Sequence, residues 1–107
     1  MRRAAQVPVW LSILLLAGGS SLVGADEIRV AVASNFVGAT RVLADRFEAA
    51  TEHSVVLASG STGKHYAQIL HGAPFQVFLA ADERRPRRLD ESGRAVEGSR
   101  VSYARGR

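Results

Sequence analysis

No cysteine occurs in the 107 residues. That absence excludes a lipid-modified cysteine anchor, a disulfide framework and a cysteine metal site together. Aromatic residues are few, at 7% of the chain, and none interrupts the arginine-rich stretch "ERRPRRLDESGR" at 83–94. Bases would find nothing there to stack on, so a nucleic-acid partner is not expected and the stretch reads as a solvated helix face. Long apolar runs are also missing. Pro8 and the pair Gly18 and Gly19 leave fewer than the roughly 18 to 20 continuous apolar residues a membrane span requires.

The N-terminus has instead the parts of an export signal. Arg2 and Arg3 form a basic start, "VPVWLSILLLAGG" is an apolar stretch of the right length, and Val23 and Ala25 are small residues ahead of a cut before Asp26. Residues 1–25 are therefore expected to be a cleavable signal peptide and the product periplasmic. Its removal takes away Arg2 and Arg3 and no acid, so the basic count falls from 14 to 12 against 10 acids. The 82 residues that remain make at most one small domain, near the size at which a single core is marginal. The chain stops at "VSYARGR", at what looks like the opening of another strand, so an incomplete domain is expected.

Within residues 26–107 the hydrophobic period alternates between two kinds of segment. "EIRVAVAS", "HSVVLAS" and "FQVFLAA" are short apolar runs suited to buried strands. Between the first two, Phe36, Ala39, Leu43 and Phe47 recur at helical spacing, with Val42 and Ala50 beside them and Arg41, Asp45, Arg46 and Glu48 opposite. Ser34 or Asn35 is expected to cap that helix. A second helix carries Tyr66, Ile69 and Leu70 and ends at Gly72 and Pro74; a third starts at Asp82 and stops at Gly93. Strand and helix in alternation predict an α/β three-layer sandwich with a mostly parallel sheet and right-handed crossovers.

In such a sheet ligands bind beyond the carboxyl ends of the strands. "SNF" follows the first strand and "SGSTGK" the second, and both carry neutral donors without an acid. Ser34, Asn35, Ser61 and Thr62, with free N–H groups at helix starts, suit an oxyanion. Each would also serve as an ordinary helix cap, and only the pairing of two such loops at one end of a sheet favours a binding site. Gly60 and Gly63 would permit close backbone approach. "GSTGKH" departs from a nucleotide phosphate loop at two working positions: Ala58 stands for its first glycine and His65 for its magnesium-binding hydroxyl. Lys64 reads as solvated. His53, His65 and His71 lack metal-site spacing, and no carboxylate pair or activated nucleophile is evident, so neither a metal, a cofactor nor an enzyme is expected.

"VAVASNF", "SGSTGKHYAQILHGAPFQVFLAADE" and "RLDESGRAVEGSRVSYA" together resemble the periplasmic molybdate-binding proteins of bacterial molybdate ABC importers. "GAPFQVFLAADE" is the most specific block. The resemblance implies a two-lobed type II periplasmic binding protein, of which 26–107 would be the first part of one lobe with the second absent. It implies a ligand, molybdate or tungstate, held by Ser34, Asn35, Ser61 and Thr62 and by a backbone N–H at Ala81. An inner-membrane permease as partner and a monomeric state are implied with it. Another oxyanion such as sulfate, or a truncated product that binds nothing, are the alternatives. Tyr103 falls too early to be the family's ligand-closing tyrosine and is read as a strand residue packing on the sheet.

Overall fold

The structure is a computed structural model that describes residues 9–16 and 27–106. Arg2, Arg3, Val23, Ala25 and the expected cut before Asp26 lie outside the described residues. Five strands, β1 (Val9–Leu15), β2 (Glu27–Ala33), β3 (Ser54–Gly60), β4 (Val77–Ala80) and β5 (Val101–Gly106), form one sheet in the order β3-β2-β4-β1-β5. Three helices, α1 (Val37–Ala50), α2 (Thr62–Leu70) and α3 (Arg84–Glu91), complete the alternation.

β2 pairs in parallel with β3 along its whole length, from Glu27 opposite Ser54 to Ala33 opposite Gly60, and with β4 from Val30 opposite Val77. The three apolar runs of the sequence are thus the three parallel strands. The addition is β1, which lies antiparallel to both β4 and β5. Part of the expected export signal is therefore a strand of this sheet, an element that the reading of 1–25 as a leader did not include.

Alternation along the strands divides the core into two layers. On one face Ala31, Phe78 and Ala80 pack with Leu14, Ile69 of α2 and Leu89 of α3. Val30, Val32 and Leu79 point the other way, toward Phe36 and Val37. The chain moves from β2 outward to β3 through α1 on the second face and back to β4 through α2 on the first. A reversal of direction coupled to a change of face keeps both crossovers of one hand.

The two faces are unequally covered. Phe78, Leu14 and Leu89 are wholly buried on the α2 and α3 side. On the α1 side Leu43 is 58% and Phe47 39% exposed, and Thr40 is the buried residue of the helix. The stripe expected to bury there borders an apolar trough of about 490 Å³, lined among others by Ile13, Val55, Leu57, Phe36 and Tyr103. Among the described residues no second helix fills it. Tyr103 of β5 does pack on the sheet, its ring 5.2 Å from that of Phe36, and burial pushes its phenol up to about 12.

The helix ends follow local chemistry with two corrections. Neither Ser34 nor Asn35 caps α1: the chain makes a 3-10 turn at Ser34–Phe36, and Phe36 is the N-cap, without a side-chain bond. The Thr40 hydroxyl donates to the Phe36 carbonyl at 2.9 Å and ties the turn to the helix. The N-cap of α3 is Glu83, one residue past the expected Asp82 and without a side-chain bond of its own, while Asp82 Oδ1 accepts the Arg85 N–H at 3.0 Å. Gly72 and Gly93 take φ of +92° and +80° after α2 and α3, the left-handed geometry that favours glycine. The arginine-rich stretch is laced by ion pairs, Arg85 with Asp82, Arg87 with Glu83 and Arg100 with Asp90.

Two outcomes follow from the uneven core. Leu89→Ala should lower unfolding free energy by about 2–5 kcal/mol, and Leu43→Ala, on the exposed stripe, by less than about 1 kcal/mol; urea denaturation followed by circular dichroism measures both. In an ultraviolet titration the phenol of Tyr103 should ionise near pH 12. Because its folded pKa is raised, its contribution to stability is whole below the unfolded value near 10 and is lost as pH climbs from 10 toward 12.

Candidate functional site

Parallel pairing of β2 with β3 and β4 sends all three strands out at one rim. Ala33 and Gly60 are register partners, so Ser34 and Ser61 leave from adjoining strand ends. β4 ends at Ala80, and Ala81 leaves beside them. β2 leads to a helix on one face and β4 to a helix on the other, so the gap between them is the topological switch point of the sheet. Ser34, Asn35, Ser61, Thr62 and Ala81 are all at this rim.

Their bonding differs. Ser34 and Asn35 are exposed in the 3-10 turn, with no side-chain cap bond at either helix start. Ser61 is the N-cap of α2, its Oγ accepting the Lys64 N–H at 3.2 Å. Thr62 is buried, and its Oγ1 accepts the Ala81 N–H at 3.0 Å. Two of the five expected contacts therefore engage each other across the gap. The Ala81 amide is committed to the threonine oxygen, and the hydroxyl hydrogen of Thr62 must point elsewhere. Ser61 likewise accepts through oxygen and keeps its hydrogen to donate. The N–H groups of Thr62 and Gly63 lie in the first turn of α2, where no intrahelical acceptor exists.

One functional contributor was missed by sequence reasoning. His65 is only 2% exposed. Its Nε2 lies 3.2 Å from the Val32 carbonyl and its Nδ1 3.2 Å from Oε1 of Gln68. Its ring meets Phe75 and Phe78 edge-on. It fastens the first turn of α2 to the last turn-out of β2, beneath the rim. A Cβ on Gly60 would come within 3.1 Å of that ring, so this glycine clears room for the histidine. The signal in the sequence is a glycine five residues before the histidine, a spacing that acquires meaning only through the contact between Gly60 and His65. Lys64 is exposed, in line with its reading as solvated. Arg85 comes closer: its Nη2 would lie 3.4 Å from a Cβ on Gly63, and its Nη1 is held at 2.6 Å by Asp82 Oδ2.

The apolar trough on the α1 face contains none of the five rim residues. Its lining offers almost no donors, so it does not suit an anion. What the rim presents is a set of neutral donors at a helix N-terminus, and nothing within it resembles a nucleophile with its base.

The profile of the bacterial extracellular solute-binding protein family matches residues 28–107. The chain belongs to that family. It is 46% identical over 101 residues to the molybdate-binding protein ModA of Azotobacter vinelandii, covering 91% of this chain and 40% of that one. Identity to the molybdate-binding protein ModA of Rhodobacter capsulatus is 41% over 96 residues, covering 90% of this chain and 38% of that one. The solved periplasmic molybdate-binding protein of Azotobacter vinelandii superposes with a TM-score of 0.64 at 48% identity, over 66% of this chain and 31% of its own. The chain thus spans about two-fifths of the length of the curated relatives it matches.

A double-substitution cycle tests the role given to His65. Gly60→Ala should destabilise the chain by about 1–3 kcal/mol through overpacking against the ring. In a His65→Ala background the same change should cost markedly less, because the clashing atoms are gone. Additive costs in urea denaturation would separate Gly60 from His65.

Proposed function

We propose that the chain supplies one side of a site for a tetrahedral dianion, molybdate or tungstate, in the substrate-binding component of an ABC importer. It acts without catalysis, in the periplasm, after cleavage of residues 1–25, and as a monomer that hands its ligand to an inner-membrane permease. The observation that carries this reading is the convergence of Ser34, Asn35, Ser61 and Thr62 at one rim with no acid among them. The relatives named for molybdate binding support the choice of ligand. Export is supported by a detail of coverage: 91% of this chain is more than residues 28–107, which are 80 of 107, can supply. The similarity therefore extends into the expected leader.

The chemistry of the donors argues for an unprotonated anion. The hydroxyls of Ser61 and Thr62 each accept from an amide, which orients them, and each keeps its one hydrogen to donate to a ligand oxygen. A fully ionised dianion accepts at every oxygen, whereas a protonated one would turn a hydrogen toward donors. The dipole of α2 adds attraction for negative charge, and the guanidinium beside Gly63, that of Arg85, is ion-paired with Asp82. Ala81 acts in this scheme as the group that aims the Thr62 hydroxyl, and its own N–H reaches an anion only if that bond is exchanged.

Charge-assisted hydrogen bonds are strong where water is excluded. Donors from one rim leave the far side of an anion wet, so this chain alone should bind weakly. Sodium molybdate titrated into isotopically labelled chain should shift the amide resonances of Ser34, Asn35, Ser61, Thr62 and Gly63, with a dissociation constant of about 1 mM or weaker. Sulfate at equal concentration should shift them less, and Thr62→Val should abolish the response. Equal responses to both anions would favour a general oxyanion site. No response at these residues would overturn the assignment, and a sub-micromolar constant would show that a second lobe is not needed.

A further inference from the structure

A cation and an acid stand at the edge of the rim, beyond the five residues assigned to the anion. Asp82 directly follows Ala81, whose N–H is bonded to Thr62 at the start of α2. Arg85 lies in the first turn of α3 and reaches back toward α2: its Nη2 would stand 3.4 Å, and its Cζ 3.7 Å, from a Cβ on Gly63. The lack of a side chain at Gly63 leaves room for that approach.

One carboxylate holds the arginine at both ends. Asp82 Oδ2 accepts from Nη1 at 2.6 Å, and Asp82 Oδ1 accepts from the Arg85 backbone N–H at 3.0 Å. Nη2 is the terminal nitrogen turned to Gly63. The pair is partly sheltered, with 29% of the arginine side chain and 34% of the aspartate exposed, so salt screens it less than it would a fully exposed pair.

Charge at this place bears directly on an anion. The free N–H groups in the first turn of α2 already attract negative charge. A released guanidinium beside them would add a second way to bind, pairing with any oxyanion through two parallel N–H donors. Such a pairing is indifferent to how the remaining oxygens fit Ser34, Asn35, Ser61 and Thr62, so the anion that fits them worse gains more from it. An uncompensated carboxylate at the same place would repel every dianion alike. The closed pair avoids both effects and leaves the neutral donors to decide.

We infer that Asp82 is a specificity-determining residue of the rim: it occupies the guanidinium of Arg85, so that oxyanions are sorted by the positions of their oxygens. This rests on the reading of the rim as a molybdate site.

Asp82→Asn is the direct test, because the side-chain oxygen of asparagine still accepts the Arg85 N–H while the negative charge is gone. Sodium molybdate and sodium sulfate are titrated separately into the intact 107-residue chain at fixed ionic strength, with the amide resonances of Ser61, Thr62 and Gly63 as readout. The variant should bind sulfate about fivefold more tightly and molybdate by about twofold at most, so that the preference for molybdate falls. Glu83→Gln removes an equal charge from the neighbouring pair with Arg87 and should alter either constant by less than about twofold. Arg85→Gln, which leaves Asp82 uncompensated, should weaken both anions by about twofold or more, and adding Asp82→Asn to it should restore both.

A preference that does not fall in folded Asp82→Asn overturns the inference while leaving the molybdate reading standing. So does an equal fall in Glu83→Gln, which would make the effect one of net charge. If circular dichroism shows Asp82→Asn unfolded, Arg85→Gln decides, and undiminished binding of both anions overturns the inference. Equal binding of the two anions by the unaltered chain overturns it as well. Rim resonances of the unaltered chain that respond to neither anion overturn the molybdate reading, and the inference with it.

Discussion

The parallel alignment of β2 with both of its neighbours is the constraint from which the site derives. A strand paired in parallel on each side delivers three chain exits to one edge of the sheet, about 4.8 Å apart from strand to strand. Had β2 paired antiparallel with β3, the two serine-bearing turns would face opposite ends of the molecule, and had it paired so with β4, Ala81 would leave from the far end. The helical crossovers that parallel pairing requires are the same elements that present free amides at the rim. Sheet topology and the proposed anion chemistry are therefore one feature here, and a residue that secures the crossover geometry secures the donors too. His65 is such a residue, because it joins α2 to the last carbonyls of β2 from below.

A hydroxyl group can accept and donate at once, and the rim uses both capacities. Whether Ser61 caps a helix or binds a ligand is a false alternative: its oxygen caps Lys64 and its hydrogen is still available. Thr62 shows the same division, with Ala81 as the internal donor. Accepting an internal N–H also orients the hydroxyl, so less rotamer freedom is left to lose when an anion arrives. Ser34 and Asn35 differ, being exposed and uncommitted to a cap. The rim thus combines an oriented pair on α2 with a more adaptable pair on the 3-10 turn.

Strand positions, helix stops at Gly72 and Gly93, and the loops of the site were legible because each depends on local chemistry. Apolar runs of strand length, glycine with positive φ and the Asp82 carboxylate at the start of α3 act over a few residues. What could not be read depends on contacts distant in sequence. His65 becomes a positioning residue only through Val32, 33 residues away. Glu48 reads as a surface carboxylate on a helix, yet its Oε2 accepts the Val55 N–H at 2.6 Å and ties α1 to β3. The stripe of Leu43 and Phe47 shows the converse failure: periodicity identifies a face that can be buried but carries no information on whether another element covers it.

The N-terminal apolar segment exposes a deeper ambiguity in reading apolar sequence. An export signal needs seven to fifteen apolar residues without charge, and a strand inside a sheet needs four to eight of the same kind. "VWLSILL" satisfies both. Composition cannot separate the two because the translocation machinery and a protein core select for the same physical property, removal of apolar surface from water. What separates them is a partner distant in sequence. In the folded sheet the segment lies between β4 and β5, and its partners at 77–80 are more than 60 positions downstream, so no local pattern marks these residues as a strand.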